Sequence, residues 1–216
     1  MTARADWMWP DPRRSAVLVV DKQRAYFGAG RPGVTPARVQ HMSGSLDHID
    51  RFIAACRDLG VPIIWTQMAE DPACAPANLA PQITDEWAFS VGSADWEIVG
   101  LQPTAGEAII RKQWHDAFTG TSLDHVLDAQ GAEALIIVGG YAGRCVLATA
   151  FAAASRGYFV VVPNGLVLGC VNSPDEEGVV NAVISDTIGR VVDPEVLLAE
   201  WSSYRAGCTS PQPTSL

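Results

Sequence analysis

Short apolar runs rich in Val, Ile and Leu alternate with longer stretches of helical character along most of the chain. The apolar runs cover residues 15–20, 62–65, 107–111, 134–138, 159–162 and 190–192. Four stretches between them have helical spacing or composition, at residues 36–59, 122–130, 145–155 and 175–188. Such runs are typical of strands buried on both faces. The alternation therefore predicts an α/β fold, a three-layer doubly wound sheet of about six mainly parallel strands with helices on both faces.

The composition favours one well-packed domain. Of 216 residues, 48% are hydrophobic and only 18% are charged, which is enough apolar surface for a substantial core. We expect a single domain over residues 1–216, with an N-terminal arm at 1–14 and a loose C-terminal tail at 205–216. Residues 68–104 lack a clear period, so we expect them to form a long excursion that contributes to a pocket wall.

The net charge and the cysteine pattern argue against several classes of function. A formal net charge of -9 would repel nucleic acid and anionic membranes. No apolar run reaches the roughly 18 residues of a membrane helix or resembles a signal peptide, so we expect a cytoplasmic protein. The five cysteines include no C-x-x-C pair, which argues against a disulfide framework or a structural zinc site.

Three chemically distinct side chains stand at the ends of three different predicted strands. Asp21 follows SAVLVV, Lys112 follows EAIIR, and Cys145 lies in a glycine-rich turn after ALIIV. Taken singly, each has an ordinary explanation: a turn cap, a solvated charge and a small buried hydrophobic residue. Because the carboxyl ends of parallel strands meet at one edge of a doubly wound sheet, we expect the three to converge.

The expected environment of Cys145 is that of a nucleophile. A helix N-terminus and a neighbouring ammonium both favour thiolate, so we expect a lowered pKa for Cys145 and rapid labelling by iodoacetamide at about pH 6. A nearby carboxylate can take the thiol proton as the sulfur attacks. Backbone N–H groups of the turn before the helix can bind an oxyanion.

Three motifs in order along the chain resemble those of the isochorismatase-like cysteine hydrolase superfamily. AVLVVDKQRAYF matches an Asp-x-Gln with a following aromatic, here Asp21, Gln23 and Phe27. KQWHDAFTGTSLDHVL matches a Lys followed by Ala-Phe, Gly-Thr and Leu. GGYAGRCVLATA matches a glycine turn, the nucleophile in Cys-Val and a later Thr-Ala, with Thr149 as the threonine. The resemblance runs from about residue 15 to about residue 162 and implies a Rossmann-like, isochorismatase-like hydrolase fold.

This resemblance implies a catalytic triad of Asp21, Lys112 and Cys145. Asp21 would deprotonate the thiol and then protonate the leaving amine, while Lys112 would stabilise the thiolate. It further implies a non-proline cis peptide between Tyr141 and Ala142, with the N–H groups of Ala142 and Cys145 forming the oxyanion hole. Family members are usually oligomeric, so the resemblance also implies a homo-oligomer, a dimer or a tetramer, that acts on a small-molecule substrate.

Departures from the family pattern concern metal and substrate. Nicotinamidases of the superfamily carry a metal-binding Asp-x-His with further histidines after the second strand, where this chain reads WTQMAEDPA. We therefore expect no metal and no other cofactor. We expect His41 and His48 on one helix face and His125 on another, with His115 close to the site in a solvated or supporting role.

Aromatic residues near the three motifs are candidates for the pocket wall. We expect Phe27, Trp65 and Trp114 to contact substrate, the alternative being that they are core residues. Arg144 adjoins the nucleophile and faces either a substrate carboxylate or the rim of a neighbouring subunit. Asn164 stands where the family often has Asp.

The favoured hypothesis is a metal-independent cysteine amidohydrolase that cleaves a C–N bond of a small amide, carbamoyl or ureido compound through a thioester. A vinyl ether hydrolase of the isochorismatase type is an alternative, although that chemistry needs no thiol. A second alternative is a non-catalytic small-molecule-binding or assembly module on the same fold. The glycines of GGYAG would be its best support, but they do not form the G-x-G-x-x-G motif of dinucleotide-binding proteins.

Overall fold

A computed structural model describes residues 9–26, 35–69, 71, 73, 75, 77–78, 89–169 and 176–205 of the chain. The strands in this part are β1 (Ser15–Val20), β2 (Ile63–Met68), β3 (Ala108–Lys112), β4 (Ala134–Gly140), β5 (Phe159–Pro163), β6 (Val167–Leu168) and β7 (Gly189–Val192). The α-helices are α1 (Pro36–Asp58), α2 (Leu123–Ala129), α3 (Leu147–Ser155), α4 (Glu176–Thr187) and α5 (Pro194–Arg205).

The strands form one parallel sheet. Its order is β3-β2-β1-β4-β5-β7, and β6 pairs with β4 beside this path. Each of these pairings is parallel. The chain builds from β1 to β3 in one direction and from β4 to β7 in the other, so the strand order reverses between β1 and β4. Open α/β sheets bind ligands beyond the carboxyl ends of strands at such a reversal. The predicted doubly wound sheet is confirmed.

Helices cover both faces of the sheet because right-handed crossovers running in opposite directions place their helices on opposite sides. Helix α1 connects β1 to β2 and contacts α5, whereas α3 connects β4 to β5 and contacts α4. The two sides are called the α1 face and the α3 face. None of the helices in the described ranges combines the length and apolar character needed to cross a membrane.

The two central strands, β1 and β4, are buried along their whole length and pair from Ser15–Ala134 to Val20–Gly139. Gly139 has a φ of 106°, which side-chain-bearing residues rarely adopt. A Cβ atom at this position would lie 2.1 Å from the carbonyl oxygen of Val20. Glycine therefore permits the close approach of the two strands at the edge where the candidate residues lie.

Two elements were absent from the sequence prediction. Strand β6 has only two residues, too few to produce a period-2 pattern. Helix α5 follows β7 directly, and its Trp201 is fully buried and donates a hydrogen bond from Nε1 to the carbonyl of Pro10 at 2.8 Å. Strand β3 lies one residue later than the predicted 107–111, so that Lys112 is its last residue rather than the residue after it.

Candidate active site

Asp21 lies immediately beyond β1 and is held in an unusual backbone conformation. Its φ is 45°, in the left-handed region that Asp tolerates better than most residues. The hydroxyl of Thr66 in β2 donates to Asp21 Oδ1 at 2.6 Å and accepts from the Asp21 N–H at 3.1 Å. Both residues are fully buried. One carboxylate oxygen is thereby fixed to the neighbouring strand, and the other, Oδ2, has no aligned hydrogen-bond donor.

Lys112 forms a buried ion pair with that second oxygen. The distance from Lys112 Nζ to Asp21 Oδ2 is 2.7 Å, and both side chains are fully enclosed. Burial favours the neutral amine, but the charges of Asp21 and of a Cys145 thiolate outweigh it and raise the pKa of Lys112. The ammonium also donates to the carbonyl oxygens of Trp114 and His115 at 2.9 and 3.2 Å. Lys112 is therefore a permanent cation at the site.

Cys145 sits in one π-helical turn, Ala142–Val146, between the end of β4 and the start of α3. Single π-helical turns of this kind often occur at functional sites. The side chain is buried, and its Sγ lies 3.8 Å from His115 Nδ1. The thiol interacts electrostatically with both Lys112 and Asp21. The structure thus brings the three residues selected from the sequence into one enclosed cluster.

The expectation of a lowered thiol pKa is wrong. Burial raises the pKa of Cys145 to about 12, because the desolvation of a thiolate outweighs the attraction of Lys112, and the charge of Asp21 adds to the increase. The resting group is therefore a thiol, and its proton must leave as the sulfur attacks. The sequence predicted that Lys112 would lie near Cys145, but it could not show how completely the folded protein excludes water from the thiol.

Tyr26 is a residue of this site that the sequence analysis missed. It is 7% exposed, and its ring contacts that of Tyr141 edge to face, with centroids 4.4 Å apart. Burial raises the pKa of Tyr26 well above its ordinary value, and the Cys145 thiolate and Asp21 raise it further. The phenol is therefore a neutral group beside the sulfur. The sequence did place two aromatic residues, Tyr26 and Phe27, within six residues of Asp21. We chose Phe27 as the candidate, and it lies outside the described residues.

Two of the other expectations need correction. Trp65 is fully buried on the α1 face, where its Nε1 donates to Glu107 at 2.7 Å, so it is a core residue rather than a wall of this site. Strand side chains alternate between faces, and Thr66, the next residue, is the one that faces Asp21. The cis peptide joins Gly140 to Tyr141, not Tyr141 to Ala142, because β4 continues to Gly140 and the turn begins directly after Tyr141.

The remaining candidates have simple positions. Trp114 is half-buried, and its ring lies 5.3 Å from that of His115. Arg144 is exposed next to the nucleophile. Asn164 accepts a hydrogen bond from Asn181 at 3.2 Å. Histidines 41, 48 and 125 lie exposed on α1 and α2, as expected.

A second buried charge network occupies the α1 face, and the sequence analysis did not predict it. Lys22, the residue after Asp21, is fully buried, forms an ion pair with Asp50 of α1 and donates to the carbonyl of Leu101 at 3.0 Å. Asp50 also accepts from the Leu101 N–H at 2.7 Å. Nearby, Arg57 and Glu107 form an ion pair at 2.6 Å. These charges connect α1 to the segment before β3.

Gln23 has a structural role. Its side-chain amide donates to the carbonyls of Met68 and Trp96 at 3.0 and 2.9 Å, and its oxygen accepts from the Met68 N–H at 2.8 Å. It thus joins the end of β2 to the segment that precedes β3. Within the described ranges, no three His, Cys, Asp or Glu side chains come together as potential metal ligands.

Comparisons with known proteins find matches over most of the chain. The family model described as isochorismatase domain matches residues 15–188. Ureidoacrylate amidohydrolase from Methylobacterium radiotolerans is 28% identical over 183 residues, covering 75% of this chain and 70% of that protein. Maleamate amidohydrolase from Pseudomonas putida is 28% identical over 155 residues, covering 69% of this chain and 70% of that protein.

Solved structures share the fold. A cysteine hydrolase from Pseudomonas syringae superposes with a TM-score of 0.78 at 21% identity, covering 94% of this chain and 99% of that one. The N-carbamoylsarcosine amidase from Thermoplasma acidophilum superposes with a TM-score of 0.69 at 22% identity, covering 84% of this chain and 97% of that one. At these identities the likeness concerns the arrangement of strands and helices.

Proposed function

Because the isochorismatase domain spans most of its length, the chain belongs to the isochorismatase family, and we propose that it is a cysteine amidohydrolase. Its reaction is the hydrolysis of a non-peptide C–N bond in a small amide, carbamoyl or ureido compound. Two similar proteins are named amidohydrolases, which supports this class of reaction.

The observation that carries the proposal is the enclosed cluster of thiol, carboxylate and ammonium. The pKa of Cys145 is raised to about 12, so a nearby base is needed when the sulfur attacks. Asp21 Oδ2 is such a base, since it is buried in the same cluster and its contact with Lys112 is an ion pair without an aligned hydrogen bond. A thiol with a base in reach is the arrangement that covalent catalysis requires, whereas vinyl ether hydrolysis has no use for it.

In the first half-reaction, Cys145 Sγ attacks the carbonyl carbon while its proton moves to Asp21. Lys112 stabilises the negative charge on the sulfur as the bond forms. The backbone N–H of Ala142 begins the π-helical turn, has no acceptor within that turn, and together with the N–H of Cys145 binds the oxyanion. The tetrahedral intermediate expels the amine, which takes the proton from Asp21, and a thioester remains.

In the second half-reaction, water attacks the thioester carbon and the C–S bond breaks. The products are the carboxylic or carbamic acid and the free thiol. No cofactor enters either step.

The names of two relatives suggest which amides to try first. Ureidoacrylate and maleamate each carry a carboxylate in addition to the bond that is hydrolysed. Exposed Arg144 adjoins the nucleophile and can pair with such a carboxylate at the mouth of the site. Small amides and ureido compounds with a free carboxylate are therefore the first substrates to test.

The test measures ammonia release from ureidoacrylate, maleamate, N-carbamoylsarcosine and their carboxamide analogues. Cys145→Ser is expected to lower kcat by roughly 10³-fold or more, and Cys145→Ala to abolish turnover. Cys56→Ala is the matched control, because Cys56 is buried in the core and its loss affects stability rather than chemistry. Full turnover by Cys145→Ala would remove the assignment of the nucleophile.

A further inference from the structure

His115 differs from the other groups around the sulfur in its access to solvent. Asp21 and Lys112 are essentially fully buried, and Tyr26 is 7% exposed. His115 is half-buried, with Nδ1 3.8 Å from Cys145 Sγ. Of the described groups named here beside the sulfur, it is therefore the one whose side chain is partly exposed to solvent.

The position of His115 is fixed by the loop that carries it. Its carbonyl accepts a hydrogen bond from Lys112 Nζ at 3.2 Å. The carboxylate of Asp116 caps the next turn by accepting from the N–H groups of residues 118 and 119 at 2.9 and 2.8 Å. The N–H of Ala117 donates to Thr149 Oγ1 of α3 at 3.1 Å. A loop anchored at these three points holds the imidazole against the sulfur.

We propose that His115 is the general base of the second half-reaction, in which water hydrolyses the thioester on Cys145. This inference rests on the proposed function. Nδ1 takes a proton from the attacking water, and the water oxygen bonds to the acyl carbon. The C–S bond then breaks with its electron pair on sulfur, and the imidazolium returns its proton to Sγ across the same contact. The acid product leaves and the resting thiol is restored.

The protonation state of His115 suits this role. Burial lowers its pKa, and the positive charges of Lys112 and Arg144 lower it further, while Asp21 and Asp116 act in the opposite direction with smaller effect. At neutral pH the ring is therefore uncharged and can accept a proton. The required tautomer has its hydrogen on Nε2, which leaves the Nδ1 lone pair facing the sulfur.

Asp21 is less well placed for this step. Its Oδ1 is held by Thr66, and its fully buried side chain does not reach solvent. Asp21 therefore accepts the proton of the thiol in the first half-reaction, and His115 accepts the proton of water in the second.

The test separates the two half-reactions with p-nitrophenyl acetate, which acetylates a nucleophilic thiol and releases p-nitrophenolate. His115→Asn keeps a hydrogen-bonding atom near the position of Nδ1 but cannot accept a proton. We expect the initial burst to change by less than about tenfold and later turnover to slow by about 10²-fold or more. Intact-mass and peptide analysis should show acetyl-Cys145 accumulating. His125→Asn, at an exposed histidine of α2, is the matched control and should match wild type.

Two further readouts exclude a merely structural role. Hydroxylamine, a nucleophile that needs no base, should restore turnover of acetylated His115→Asn. The wild-type deacetylation rate should rise with pH through a pKa below the ordinary histidine value, and the variant should lack this rise. His115→Gln, measured in the same way, replaces the asparagine variant if the latter does not fold.

Deacetylation of His115→Asn at the wild-type rate would overturn the role of His115, even if amide hydrolysis is intact. An equal loss in burst and turnover, without accumulation of acetyl-Cys145, would also overturn it. Failure of the proposed function looks different: wild type itself would not be acetylated at Cys145 and would release no ammonia from the amide panel.

Discussion

Two buried lysine–aspartate pairs lie on opposite faces of the sheet, and consecutive residues contribute to them. Asp21 pairs with Lys112 on the α3 face, and Lys22 pairs with Asp50 on the α1 face. Both lysines are fully buried. They differ in what surrounds them. Asp50 uses both carboxylate oxygens, on Lys22 and on the Leu101 N–H. Asp21 leaves Oδ2 without an aligned donor, next to a thiol.

The comparison shows that burial of charge alone does not identify a reactive site. A pair whose hydrogen bonds are complete connects parts of the fold, as Lys22 and Asp50 connect β1, α1 and the segment before β3. A pair that keeps an acceptor oxygen beside a nucleophile can move a proton. Substitutions that treat the two aspartates alike should therefore have different consequences.

The largest effect is expected from Asp21→Asn. The amide keeps the shape and the hydrogen bond to Thr66 but cannot take the thiol proton, so kcat should fall by roughly 10³-fold. The measurement is ammonia release from the best amide of the panel, with intact-mass detection of the acyl-enzyme. Formation of the thioester at the wild-type rate would contradict the role of Asp21.

Asp50→Asn should lower the stability of the protein and leave its activity nearly unchanged, unlike Asp21→Asn. The substitution leaves Lys22 buried without a carboxylate, so the free energy of unfolding should fall by about 2–4 kcal/mol, while kcat changes less than about threefold. Urea titration and ammonia release measure the two quantities. Asp47→Asn, an exposed position on the same helix, is the matched control and should change neither. A kcat loss as large as that of Asp21→Asn would end the distinction between the two faces.

A smaller effect is expected on the reactivity of Cys145 with iodoacetamide. Because burial raises its pKa to about 12, labelling at neutral pH should be slower than for an ordinary thiol. The negative charge of Asp21 raises this pKa, so Asp21→Asn should lower it and label several-fold faster at the same pH. Lys112→Met should label more slowly. Rates come from peptide mass mapping at several pH values, and unchanged or slower labelling of Asp21→Asn would show that the carboxylate does not act on the thiol.

Much of the fold was predictable because its strands are long apolar runs. The sequence SAVLVV and the run around ALIIV are buried on both faces, which made β1 and β4 recognisable without any periodicity. The location of Asp21, Lys112 and Cys145 followed from the rule that parallel strands end at one edge. Short or late elements such as β6 and α5 carry no comparable signal.

The details of the site were less predictable because they depend on which face each side chain occupies. Trp65 and Thr66 are neighbours in sequence and lie on opposite sides of β2, and only a known register assigns the threonine to Asp21. The thiol pKa depends on the exclusion of water by many residues at once. Tyr26 comes to the sulfur through a short turn whose direction no pattern specifies.

The glycine at position 139 couples the strand spacing to the reaction. A single methyl group there would meet the Val20 carbonyl and wedge β1 away from β4. Asp21 follows one of these strands and Cys145 the other, so the wedge would separate base from nucleophile without touching either. A displacement of about 1 Å between reacting groups can slow an enzyme by about 10²-fold. The contact between the backbones of β1 and β4 thus sets the distance between the groups that transfer the proton.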